Sequence, residues 1–254
     1  IVSAVYDKAP GQVWGTESIL AIKDAAAVHG LEFEVVESVP VHEEIKLGGK
    51  MAAEYTDVYC ENLRRLGKAG VKCVCYNWLR SELEHRHPDG SNSLAYDGQT
   101  VLSMDPLTSS LSLPGWDESY TKEELKNLIL RYREVGEEEL WRNLAAFLHK
   151  VIPAAEESGI KMAIHPDDPP WSIFGLPRII TCAENLRRFL DIEKSEANGL
   201  TFCTGSLGAS ADNDLVKMAA EFAPRIHFAH LRNVLRTGYR QFEEVAHPTE
   251  CGSL

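Results

Sequence analysis

Three short apolar segments of this chain each end in a side chain that can bind a metal ion. The segments begin at residues 160, 200 and 226, and they lead into His165, Cys203 and His230. Short apolar runs bounded by turn residues predict buried strands, and Pro166 disfavours a helical conformation at His165. Because the carboxyl ends of the strands in a parallel α/β barrel meet at one mouth, where active sites lie, the recurrence predicts that these three side chains share a site.

Predicted helices alternate with predicted strands along the chain. Thr16–Val28 has the apolar spacing of a helix, and two capping boxes, at Thr121 and Thr181, predict the starts of two further helices. The residues after the strand that ends at His230 are predicted to form a polar loop. Alternating strands and helices indicate a parallel sheet with right-handed crossovers.

Two architectures fit this alternation. An open doubly wound sheet would require a glycine-rich phosphate loop, and Cys203–Gly208 lacks the third glycine of that fingerprint. A barrel requires eight strands, and the sequence predicts six. We therefore predict the α/β class, as a (β/α)8 TIM barrel whose strands at the two ends of the chain are missing from this sequence. Residues 1–254 are predicted to form a single barrel domain, with residues 78–120 as an irregular lid or interaction segment within it.

The charge and cysteine content narrow the range of partners. With 26 Lys and Arg residues against 38 Asp and Glu residues, the chain carries a net charge of −12, which disfavours nucleic-acid binding. No apolar run approaches the roughly 20 residues that span a bilayer, which predicts no membrane partner. Six scattered cysteines without framework spacing, in a chain long enough to bury a large core, indicate a reducing, cytoplasmic location. Cys73 and Cys75 are predicted to point to the same side of a strand and pack in the core.

Imidazole and thiolate groups together are typical ligands of a divalent transition metal. His165, Cys203 and His230 are separated by about one strand–helix unit each, unlike the clustered ligands of zinc fingers. A three-ligand site keeps a position open for water or substrate, which is characteristic of catalytic sites. Taken alone, each histidine could instead be a hydrogen-bonded structural residue, and the cysteine a core residue. A carboxylate as fourth ligand would favour Mn²⁺ or Fe²⁺ over zinc.

Six segments of the sequence resemble a known family. The segment His165–Arg178 is similar to the signature of the mannonate dehydratases, and so are Cys203–Gly208, His230–Asn233, Ala246–Pro248, Val36–His42 and Cys75–Asn77. The resemblance implies a xylose-isomerase-like barrel and the loss of water from D-mannonate to give 2-keto-3-deoxy-D-gluconate, in cytoplasmic hexuronate and glucuronate breakdown. It also implies Mn²⁺ or Fe²⁺ as the cofactor, with His165, Cys203 and His230 as its ligands. The partner is then a small sugar acid, and we expect a homodimer or higher homo-oligomer.

The chain departs from the pattern of that family in two places. The family carries a further strand after the position of Leu254, with an Arg-Pro-Asp-His-Gly motif whose aspartate would be the fourth ligand. The acid and base groups are therefore expected beyond Leu254. Several residues between the positions of Asn77 and Trp78 are also absent. We expect both segments to belong to the complete gene product, because deleting a barrel strand would expose a core face and remove a ligand.

Two residues at strand ends beside the ligands are candidates for substrate binding. Arg232 and Asn77 are predicted to hold the carboxylate or hydroxyl groups of the substrate, with a surface position as the alternative for the arginine. Asp167 and Asp168 could orient His165 or a lid, or they could form a turn that enters a helix.

The sequence leaves two other functions open. A metal-dependent sugar isomerase of the same barrel class would interconvert an aldose and a ketose without losing water. A non-catalytic sugar-acid binding protein would use the metal structurally. Formation of a 2-keto-3-deoxy acid would separate the dehydratase from both.

Overall fold

The computed structural model describes residues 1–79, 95–97, 121–173, 175–247 and 252–253, with the backbone alone at 95–97, 122 and 125. Among these residues, no helix combines the length and the apolar character needed to cross a membrane. The helices and strands are, in chain order, β1 (Val2–Ser3), α1 (Thr16–Val28), β2 (Val35–Glu37), α2 (Glu43–Lys46), α3 (Ala52–Ala69), β3 (Cys73–Asn77), β4 (Ala95–Asp97), α4 (Lys122–Glu134), α5 (Glu137–Glu157), β5 (Lys161–His165), α6 (Ala183–Ile192), β6 (Asn198–Cys203), α7 (Thr204–Gly208), α8 (Leu215–Phe222), a 3-10 turn (Ala223–Arg225), β7 (Ile226–His230), β8 (Val234–Gly238) and β9 (Gln241–Glu244).

The main sheet is parallel and curls into half of a barrel. In the described part of the chain it has six strands in the order β1-β2-β3-β5-β6-β7, and every neighbouring pair is parallel. Helices α3 and α5 fill the connections around β3 and β5, as right-handed crossovers require. This order and pairing agree with the predicted α/β barrel architecture.

Both faces of the central strands β3, β5 and β6 are covered, which explains why these strands are apolar runs rather than alternating ones. On the helix side, Tyr76 and Ile164 belong to the main core and are fully buried. On the opposite, concave side, a smaller cluster contains Cys73, Cys75 and Ala163. The prediction that the two cysteines share one side of a strand is therefore confirmed. Because side chains alternate along a strand, the last residue of β5, His165, lies on the concave side as well.

β4, β9 and β8 form a second, antiparallel sheet, which we call the cap sheet. Phe242 of β9 packs edge-to-face on Trp171, in the segment after β5, with ring centroids 6.1 Å apart. Arg236 of β8 donates a hydrogen bond of 2.6 Å from Nη1 to the carbonyl oxygen of Gly208, the last residue of α7. The cap sheet therefore touches the segments that follow β5 and β6, and β8 itself follows β7 directly.

A polar loop was predicted where β8 and β9 lie, and this prediction was wrong. Val234 and Phe242 are the buried residues of the two strands, whereas the others are partly or fully exposed. So few apolar positions give a weak strand signal, and pairing between β8 and β9 provides the stability that the pattern does not indicate. The predicted lid at 78–120 lies, apart from residues 78–79 and 95–97, outside the described residues, and the single-domain boundary stays a prediction.

The two predicted capping boxes have different outcomes. Thr121 accepts from the backbone N–H of Glu124, and the Glu124 carboxylate accepts from the backbone N–H of Thr121, so the first box is confirmed. The second was wrong, because α6 starts after Cys182 with no side-chain cap. The hydroxyl of Thr181 accepts a hydrogen bond from Nδ2 of Asn185 instead, at 3.1 Å.

Helices α3 and α5 approach closely at a glycine. A Cβ atom added to Gly67 of α3 would lie 2.4 Å from the carbonyl oxygen of Ser158, the residue after α5. Tyr59 and Phe147 pack edge-to-face between the same helices, with centroids 5.0 Å apart. Because the obstacle at Gly67 is backbone, it cannot move aside as a side chain would.

We expect Gly67→Ala to destabilise the protein. Because the obstacle is backbone, the clash should cost about 2–3 kcal/mol, the upper part of the range for overpacking, and the higher helix propensity of alanine offsets about 1 kcal/mol, so the net loss should be about 1–2 kcal/mol. Arg64→Ala, at an exposed position of the same helix, is the control and should stay within about 0.5 kcal/mol of the parent. Urea unfolding midpoints measure both; equal midpoints for Gly67→Ala and the parent would contradict the close approach.

Candidate metal centre

The structure brings together the three predicted ligand residues. β5, β6 and β7 are neighbours in the sheet, and they end at His165, Cys203 and His230. Cys203 and His230 are direct partners in the register of β6 and β7. One ligand atom from each of the three residues lies within 4.8 Å of the others. The parallel sheet therefore places a thiol and two imidazoles around one point at the carboxyl ends of its strands.

Hydrogen bonds fix the orientation of the His165 ring. Its Nδ1 lies 2.7 Å from the carbonyl oxygen of Pro166. A carbonyl can only accept, so Nδ1 carries the hydrogen and Nε2 presents a lone pair. That Nε2 atom lies 3.1 Å from Nδ1 of His230. Two nitrogen atoms that face each other at this distance need a proton or a metal ion between them, because two lone pairs would repel.

The pKa values of the three groups reflect this arrangement. Burial raises the pKa of the Cys203 thiol, but hydrogen bonds to His165 and His230 outweigh it and bring the pKa well below its usual range. A hydrogen bond to Cys203 and another to Glu37 raise the pKa of His230 to about 9. For His165, burial lowers the pKa, and the hydrogen bond and charge of Cys203 more than offset this, so the pKa is raised. The centre thus holds a thiolate stabilised by positive charge, and this donor set fits a divalent transition metal.

A cavity of about 510 Å³ opens at the centre, within the range of small-molecule sites. Both predicted substrate-binding residues lie in its wall. Asn77 ends β3 and is the register partner of His165, and Arg232 follows β7 by two residues. Their roles toward a substrate stay predictions. The remaining polar residues of the wall are Glu37, Asp168, Glu244 and His247.

Arg232 is held in place from two sides. Its Nη2 lies 2.5 Å from Oδ2 of Asp168, in a pair whose side chains are 21% and 13% exposed. Its Nε is buried and has no hydrogen-bond partner among the described residues. A Cβ atom on Gly205 of α7 would lie 2.0 Å from that Nε. The guanidinium group of Arg232 therefore passes directly over Gly205. There is room for this group only because glycine has no side chain.

The adjacent residues Asp167 and Asp168 have different environments. Asp167 is 1% exposed, and its Oδ2 accepts hydrogen bonds of 2.8 Å from the backbone N–H groups of Ile179 and Ile180. Burial raises the pKa of this carboxyl group, against the charge of Arg178 and the two N–H groups. Asp167 thus fastens the segment between β5 and α6, whereas Asp168 holds Arg232. The hydrogen bonds described for the His165 ring go to Pro166, His230 and Cys203 rather than to either aspartate.

Sequence reasoning missed Glu37, Glu244 and His247 as residues of the cavity wall. Apolar and acidic residues alternate around Glu37, and β2 covers Val35–Glu37 and ends at this glutamate. The alternation of apolar and acidic residues gave no sign of where the strand stops. Glu244 and His247 belong to or follow β9, in the segment that was predicted to be a loop.

Comparisons with known proteins agree with the geometry. A family model described as D-mannonate dehydratase (UxuA) matches residues 1–254. Mannonate dehydratase 2 of Halalkalibacterium halodurans is 50% identical, with 100% of this chain and 76% of that protein covered. Mannonate dehydratase of Oceanobacillus iheyensis is 48% identical, with 100% and 74% covered.

Solved structures give the same fold. The crystal structure of mannonate dehydratase from Streptococcus suis serotype 2 superimposes with a TM-score of 0.86 at 43% identity, and 100% of this chain and 71% of that chain are covered. A xylose isomerase domain protein from Planctomyces limnophilus, 12% identical, matches with a TM-score of 0.53 over 98% of this chain and 71% of its own. The predicted xylose-isomerase-like α/β barrel class is therefore confirmed.

Metal binding at this centre should become tighter as the pH rises. The pKa of His230 is about 9 without metal, so an ion that binds at neutral pH must displace a proton. One linked proton changes the affinity about tenfold per pH unit, so Mn²⁺ affinity should rise about 100-fold between about pH 6 and pH 8. Titration calorimetry in two buffers of different ionisation enthalpy measures the affinity and the proton release. A constant affinity without proton release would contradict the protonated state of His230.

Proposed function

The chain belongs to the D-mannonate dehydratase family of hydro-lyases, and from this we propose that it removes water from D-mannonate to give 2-keto-3-deoxy-D-gluconate. The observation that carries the proposal is the group of His165, Cys203 and His230 at the mouth of a cavity. We assign the reaction to hexuronate and glucuronate breakdown in the cytoplasm, because a thiolate ligand needs a compartment that keeps cysteine reduced.

We propose Mn²⁺ or Fe²⁺ as the cofactor, held by Nε2 of His165, Sγ of Cys203 and one nitrogen of His230. Held there, a divalent ion would supply positive charge beside the substrate carboxylate, where removal of the α-proton creates a second negative charge. The lone pair on Nε2 of His165 is already directed to this point by the bond from Nδ1 to Pro166. The low pKa of Cys203 supports a thiolate at neutral pH.

Local positive charge has to attract the substrate, because the net charge of −12 repels an anion such as a hexonate. Arg232 is our candidate for this, since its guanidinium lines the cavity and Asp168 fixes its orientation. A planar guanidinium binds a carboxylate through two parallel hydrogen bonds. Asn77, also in the wall, can donate to or accept from a hydroxyl group. Glu244 and His247 are wall residues that can exchange protons, which departure of the hydroxyl group requires.

The central test is product formation with ligand variants. With Mn²⁺, the protein should convert D-mannonate to a 2-keto-3-deoxy acid, which the thiobarbiturate reaction and mass spectrometry detect. Cys203→Ser and His230→Ala should lower bound metal and turnover more than about 100-fold, because each removes a ligand. Cys182→Ser is the matched control, since this cysteine directly precedes α6 and does not line the cavity. Stoichiometric metal in both ligand variants, by elemental analysis, would rule out the proposed ligand set.

A second test concerns substrate capture. Arg232→Lys keeps the charge but loses the planar fork, so KM should rise about tenfold, equivalent to about 1.4 kcal/mol, with metal still bound. Gly205→Ala should raise KM similarly, because the new Cβ would displace the guanidinium. Arg187→Lys, in an exposed pair with Glu221 on the surface, is the control. Unchanged KM and kcat in Arg232→Lys would remove this arginine from substrate binding.

A further inference from the structure

We propose that Glu37 is a positioning residue for His230: its carboxylate accepts a hydrogen bond from Nε2, so that Nδ1 is the nitrogen presented to the metal. The proposal rests on the metal site of the proposed function and adds a residue to it that neither the sequence pattern nor the ligand set contains. It also decides which of the two nitrogens of His230 is the ligand atom.

The contact spans the half-barrel. Glu37 ends β2 and His230 ends β7, and three strands separate β2 from β7 in the sheet. The curl of the sheet nevertheless brings Oε2 of Glu37 to 3.0 Å from Nε2 of His230. The two side chains are 27% and 28% exposed, so the contact is partly shielded from water. This hydrogen bond requires the same curvature of the sheet that brings His165, Cys203 and His230 together.

The two ends of the His230 ring face different groups. Nδ1 lies 3.1 Å from Nε2 of His165, the nitrogen of that ring that does not bond to Pro166. Nε2 faces the carboxylate of Glu37. A carboxylate accepts and does not donate when ionised, so Nε2 must carry a hydrogen, and Nδ1 is the nitrogen that offers its lone pair once a metal ion displaces the second proton. Metal-bound histidines commonly donate their other N–H to a carboxylate, which fixes the tautomer and the ring orientation.

The packing of the ring against Phe228 cannot make this choice. Phe228 packs edge-to-face on His230, with centroids 5.3 Å apart and an interplanar angle of 82°. This contact restricts tilting, but a ring turned by half a rotation would fit against Phe228 equally well. Among the described residues, the group of mutually close ligand atoms consists of His165, Cys203 and His230, without Glu37. The carboxylate therefore acts on the ring from the side remote from the metal position rather than as a ligand.

The experiment reads the bound nitrogen directly and does not depend on turnover. In protein loaded with diamagnetic Zn²⁺ and labelled with ¹⁵N-histidine, long-range ¹H–¹⁵N spectra distinguish the metal-bound from the protonated nitrogen of His230. We expect Nδ1 to be bound and Nε2 to be protonated in the parent protein. Metal-bound Nε2 in the parent would overturn the proposal, whatever the variants do.

Two variants test the hydrogen bond itself. Glu37→Ala removes the acceptor and should weaken Mn²⁺ binding about 10- to 100-fold, measured by chelator competition. Glu37→Gln keeps an acceptor oxygen at the same place, so it should recover most of this loss and retain Nδ1 coordination. Glu34→Gln, an exposed glutamate paired with Lys72 beside the same strand, is the control and should bind Mn²⁺ like the parent.

The outcomes separate this proposal from the proposed function. Equal losses in Glu37→Gln and Glu37→Ala would identify the carboxylate as a direct ligand, and no loss in either would make the contact irrelevant; both results overturn the positioning role. Correct Nδ1 coordination in a protein that does not dehydrate D-mannonate would leave the positioning role standing and refute the function. An active enzyme in which Nε2 of His230 binds the metal would refute the positioning role and leave the proposed function standing.

Discussion

A buried thiolate that faces two imidazoles is the interaction on which the rest of this structure depends. Cys203 can keep its negative charge inside the protein only because His165 and His230 offer positive charge or share a cation with it. Their approach depends on the parallel register of β5, β6 and β7, which in turn requires helical crossovers between the strands. The packing of helices on the outer face therefore maintains the charge balance at the mouth.

The three residues of the candidate metal centre were predictable because each apolar run stops abruptly at a side chain that can bind a metal ion, a signal that is local in sequence. Glu37 was not predictable, because its partner His230 lies across the half-barrel. The sequence near residue 37 contains no signal for the curvature of the sheet that brings these two residues together. The strands β8 and β9 were missed for a related reason: their stability comes from pairing with each other and with β4, and their own residues are mostly polar. Local patterns indicated the parallel sheet and its ends, whereas contacts between distant segments determined the remaining wall of the cavity.

Sequence similarity alone also left the two aspartates after His165 equivalent. One carboxylate is buried among backbone N–H groups, and the other reaches the guanidinium of Arg232. A pair of identical neighbouring residues thus serves a loop and a cavity at once. Gly205 acts by a different means, since its contribution is the space that a side chain would occupy.

The cap sheet is attached to the segment after each ligand strand. It packs on Trp171 after β5, binds Gly208 after β6, and continues from β7 through the chain itself. The hairpin of β8 and β9 is therefore connected to all three segments that follow His165, Cys203 and His230. By thermodynamic reciprocity, a molecule that binds the hairpin more tightly when metal is present must increase the metal affinity by the same factor. The outer surface of the cap sheet is therefore a place where such a molecule would act on the candidate metal centre from outside the cavity.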